Sequence, residues 1–124
     1  MAETSEPRVG AGNVKIILGG RDLELKPSLA AIKLLSRSGG GIRGAITAVM
    51  GLDVEMIFNV VRVGLGPDAV RDLGGAEKIE RLIYEEGLTD TTGGLVEKCV
   101  EYLMNLARGG RPSMGSEEGA DARP

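Results

Sequence analysis

A pair of glycines, Gly19-Gly20, separates Val14-Lys15-Ile16-Ile17-Leu18 from Arg21-Asp22-Leu23-Glu24-Leu25-Lys26. Two adjacent glycines supply the positive φ angles of a primed two-residue turn, whose twist matches that of antiparallel strands. The stretch 14–26 therefore reads as a β-hairpin. Leu23 and Leu25 alternate with Asp22, Glu24 and Lys26, so one face of the second strand is apolar and the other polar. Pro27 stops the ladder, and Ser28 is placed to cap a helix. A two-stranded hairpin is marginal by itself, so its apolar face needs a cover.

The cover is expected from about five helices, over 29–38, 42–50, 53–64, 76–86 and 92–108. In the first, Leu29, Ile32 and Leu35 recur at helical spacing before the Gly39-Gly40-Gly41 stop. In the second, Ile42, Ala45, Ile46 and Val49 form the inner stripe, and Gly51 ends the helix. Asp53 caps the third, which is apolar nearly all round, with Glu55, Asn59 and Arg62 as a narrow polar strip. Such a helix is either buried on most sides or partly turned toward a partner. Its candidate partner-binding residues are Met56, Val60 and Val63. Gly64 to Gly75 reads as a connection with at most one short turn at 68–73. The fourth helix turns Ala76, Ile79, Leu82 and Ile83 inward. The fifth, with possible caps at Thr89 to Thr92, sets Leu95, Val96, Cys99, Leu103 and Leu106 opposite Glu97, Lys98, Glu101, Asn105 and Arg108. The fold class is α+β, a single domain over 14–108 between a flexible leader, 1–13, and a disordered tail, 109–124.

Composition narrows the function. Phe58, Tyr84 and Tyr102 are the only aromatic residues among 124, and the formal net charge is −3. Few aromatics and no basic excess argue against nucleic acid as the main partner. Charge is unevenly spread: six basic residues stand against two acidic ones between Val14 and Arg43, and three against seven between Glu77 and Glu101. That asymmetry either steers a charged partner or reflects two compensating solvated faces. Cys99 is the single cysteine, so an internal disulfide is impossible and a reducing, cytoplasmic setting is expected. No apolar run has the length of a membrane span, and no membrane partner is expected.

Chemistry finds little to work with. Histidine is absent, which removes the commonest proton shuttle and metal ligand and leaves Cys99 without a base. Glu77, Glu80, Glu85 and Glu86 sit on a polar helix face with nothing to desolvate them. Ser38-Gly39-Gly40-Gly41-Ile42-Arg43-Gly44 comes nearest to a phosphate loop, but no Lys-Ser or Lys-Thr pair follows, and it lies between helices rather than after a buried strand. No catalytic residue, cofactor or metal site is expected, and the protein is not expected to be an enzyme.

The strand Val14 to Leu18, the sequence Leu18-Gly19-Gly20-Arg21 and the Leu23-Glu24-Leu25 strand leading into the Ser28 helix resemble the phage tail assembly chaperones of siphophages and gene transfer agents. That family is also labelled phage tail tube protein. The resemblance extends more loosely to Leu106, with departures at Lys33, where the family has an acidic residue, and in the long Gly64 to Gly75 connection. It implies a non-enzymatic viral protein that binds the tape measure protein in the host cytoplasm during tail assembly. Rival expectations are a structural tail or tail-tube component, which would form a stable homo-oligomer, and a small protein-binding adaptor or regulatory domain.

Overall fold

The computed structural model describes residues 12–37, 40–89 and 94–112. Strands β1 (Val14–Leu18) and β2 (Arg21–Leu25) pair antiparallel, with Val14 opposite Leu25 and Leu18 opposite Arg21. Gly19 and Gly20 both have positive φ, 59° and 79°, as the two-residue turn requires. Val14, Ile16, Leu18 and Leu25 are buried on one face. Each contributes about 1.5–3 kcal/mol over an exposed side chain.

Six helices follow among the described residues: α1 (Leu29–Ser36), α2 (Gly41–Met50), α3 (Val54–Leu65), α4 (Pro67–Asp72), α5 (Ala76–Glu86) and α6 (Leu95–Ala107). The protein is a small α+β domain with its hairpin at the N-terminal side. Two predicted caps are made: Ser28 Oγ accepts from Ala31 N at 3.0 Å, and Asp53 Oδ1 from Met56 N at 3.2 Å. The connection read as one short turn holds the six-residue α4, started by Pro67, whose missing N–H costs nothing at a helix start.

Helix α3 is the centre. It packs on β2 and on all five other helices, which is why its sequence is apolar nearly all round. The hairpin's inner face is covered by α3 through β2 and by α5 and α6 through β1. Helix α1 is rotated from its expected setting. Ala31 and Leu35 are buried while Leu29 is 73% exposed, because small Ala31 lies on the face that approaches the core.

Beyond β2 the Lys26 peptide is held from both sides. Its N–H donates to Gly64 O at 2.8 Å, and its carbonyl accepts from the Tyr102 hydroxyl at 2.8 Å. The backbone groups released where the ladder ends are thus paired by α3 and α6, as buried peptides require. Gly12 and Asn13, read as the end of the leader, belong to the fold: Asn13 Nδ2 donates to Glu24 Oε1 at 3.1 Å, and Gly12 O accepts from Asn105 Nδ2 at 3.0 Å. Asn105, assigned to the polar stripe of α6, is therefore buried. The segment before Gly12 expected as a leader, the tail after Pro112, the Ser38-Gly39 end of the first helix and the caps expected at 90–92 lie outside the described residues.

Candidate partner-binding surface

The three residues expected to face a partner do not form a surface. Val60 is fully buried and Met56 nearly so, with Val63 partly buried against the core. The side of α3 that carries Met56, Ile57, Val60, Val61 and Leu65 is buried against its neighbours, so most of its apolar excess serves the interior. The apolar side chains that do reach solvent lie elsewhere.

One group lines a groove of about 430 Å³ between the start of α1 and the end of α6, formed by Pro27, Ser28, Leu29, Ile32, Leu106, Ala107, Gly109 and Gly110. Pro27 and the Ser28 cap hold Leu29 at the helix entrance, while Gly109 and Gly110, at φ 76° and 84°, turn the chain back over the groove. Lys26, Lys33, Arg108 and Arg111, the charged residues next in sequence to the lining residues, are all basic. The Nε of Arg108 is buried without a hydrogen-bond partner among the described residues. A second depression, beside the hairpin, mixes Lys15 and Lys26 with Asp22 and Glu24 and so has no single sign of charge.

Another group is at the corner between α2 and α3, where the chain bends by 119°. Met50, Leu52 and Val54 stand outward there, 64%, 40% and 41% exposed. Asp53 and Glu55 interleave with them and are exposed. Backbone bonds from Leu52 N to Val49 O and from Asp53 N to Ala48 O close α2 with a Schellman motif. The left-handed position of that motif is Leu52, at φ 64°, while Gly51 keeps a negative φ. Helices α4 and α6 end with the same pair of bonds, with Gly74 and Gly109 in that position.

Cys99 is buried, and burial pushes its thiol up to about 12, which suits a packed side chain and not a nucleophile. Among the described residues no group of His, Cys, Asp or Glu is arranged to hold a metal ion. No single described helix is long and apolar enough to cross a membrane. No protein-family model, curated protein or solved structure matches the chain. Sequence reasoning missed both surfaces because Leu29 and Met50 fall at helix ends, where apolar spacing does not say which side faces out.

Proposed function

We propose that this protein is a non-enzymatic assembly chaperone of a phage or gene transfer agent tail, acting in the host cytoplasm. Its client is the tape measure protein. The observation that carries the reading is the groove between α1 and α6: Leu29, 73% exposed, stands at its edge, and Lys33, Arg108 and Arg111 adjoin its lining residues in sequence. An apolar channel with charged lips suits the apolar stripe of an amphipathic client segment, which buries its side chains while its acidic flanks meet the lips. Pro27 and Ser28, which follow the hairpin in the pattern that resembles the tail chaperones, line that groove.

Co-expression with the tape measure protein of the same gene cluster tests this. Expected is a soluble complex with wild type that is lost with Leu29→Asp, while the variant alone keeps its helical spectrum. A tape measure protein that stays insoluble and unbound beside wild type overturns the reading.

A further inference from the structure

The groove has a counterpart on the same chain. The corner between α2 and α3 presents three exposed apolar side chains, and the groove is lined mainly by apolar residues. Asp53 and Glu55, exposed at the corner, are acidic, whereas Lys33, Arg108 and Arg111, which adjoin groove-lining residues in sequence, are basic, so the chain next to the two patches differs in charge. None of Met50, Leu52 and Val54 lines the groove, so the patches are separate surfaces. Leu52 adds an observation internal to the fold. Among the described residues the motif that closes α2 is made twice more, both times with glycine at the left-handed position. A leucine there carries a steric penalty that glycine avoids, and it displays an isobutyl group to solvent. Leu52 is not among the side chains packed on the core.

We infer that the Met50-Leu52-Val54 corner of one copy seats in the groove of a second copy of this chain. The seated side chains leave water, and the carboxylates of Asp53 and Glu55 meet the basic lips. Opposite charge fixes which patch meets which, since two corners or two grooves repel. Depending on the angle between the patches, the contact is reciprocal in a closed pair or repeats along a chain. A second copy and the client proposed above use the same groove and so compete for it.

Sedimentation velocity of the full chain over a dilution series, at low and high salt, tests it. Wild type is expected to associate as concentration rises, and less strongly at high salt, which screens exposed charges. Leu52→Asn and Leu29→Asp are each expected to weaken association roughly tenfold or more, a loss of about 1.4 kcal/mol. Neither threatens the fold, because asparagine tolerates the left-handed position and an acidic residue favours the first turn of a helix. Mixed together, the two variants are expected to regain one contact, an intact groove from Leu52→Asn receiving an intact corner from Leu29→Asp. Wild type that stays monomeric at every concentration overturns the inference. So does association that both variants retain undiminished, or a mixture that fails to pair.

Discussion

Leu25 and Gly64 touch so closely that a Cβ placed on Gly64 would lie 2.9 Å from the Cβ of Leu25, and the next residue, Lys26, donates its N–H to the Gly64 carbonyl. The hairpin meets the central helix at that glycine. Glycine inside a helix costs about 1 kcal/mol relative to alanine, so helix propensity alone favours Gly64→Ala. Forcing a methyl against a Cβ that is fixed to the β2 backbone costs about 1–3 kcal/mol. The packing term wins: Gly64→Ala is expected to lower stability by about 1 kcal/mol, read from the urea midpoint with the slope unchanged.

The Tyr102 hydroxyl spans 76 residues of sequence to reach the Lys26 carbonyl. Tyr102→Phe keeps the ring and removes that bond, so a loss of about 0.5–1.5 kcal/mol is expected. Tyr84 is largely exposed, and Tyr84→Phe should leave the thermal midpoint where it was. Equal effects of the two substitutions would mean that the link between α6 and β2 contributes nothing.

Leu52→Gly is expected to stabilise the monomer by about 0.5–1 kcal/mol, because it removes a non-glycine residue from the left-handed region. Chemical denaturation measures the gain. The same substitution trims the exposed corner, so stability and self-association should move in opposite directions.

Cys99 and Tyr102 are both raised by burial, the thiol from 9.0 to about 12. Below pH 9 the thiol is neutral in folded and unfolded chains alike, and its contribution to stability is constant. Above that the unfolded chain releases the proton while the native one keeps it, so stability falls by up to about 1.4 kcal/mol per pH unit for this group. Tyr102 acts in the same direction from about pH 10.0 upward. Alkaline titration of the folded signal should show an early, cooperative loss that Cys99→Ala shifts to higher pH. Near neutral pH, thiol labelling of native protein should run at the rate of transient opening and slow down in any stabilised variant.

Val60→Asp places a carboxylate among fully buried side chains of α3. An unpaired charge there costs about 3–5 kcal/mol, so the variant is expected to lose its cooperative thermal transition. A folded variant of normal melting temperature would return Val60 to the surface.

The local chemistry of this fold was legible where one residue type has one reason to be present. Gly19-Gly20 as a turn, Ser28 and Asp53 as caps and the inner stripe of α5 all follow from conformational limits or side-chain reach, and each is found. What failed depended on tertiary position. Asn105 looks like a surface residue until Gly12 is laid against it, and Met56 and Val60 look available until six elements close around α3. Leu52 is subtler. Gly51 invites the reading that it ends the helix in the left-handed conformation, but the hydrogen bonds of the α2 cap put that conformation one residue later. The surfaces were hidden for a related reason: exposure of Leu29 and Met50 is decided by which neighbours are absent, and spacing does not record absence.

Gly12 and Gly110 lie against each other, close enough that a Cβ on Gly12 would meet the Gly110 carbonyl. In topological terms the domain is almost a closed circle, since its first and last described segments leave side by side at the lip of the groove that Gly110 helps to form. Anything joined to either end, whether natural chain, affinity tag or fluorescent reporter, is tethered next to the groove's occupant and raises its own effective concentration there.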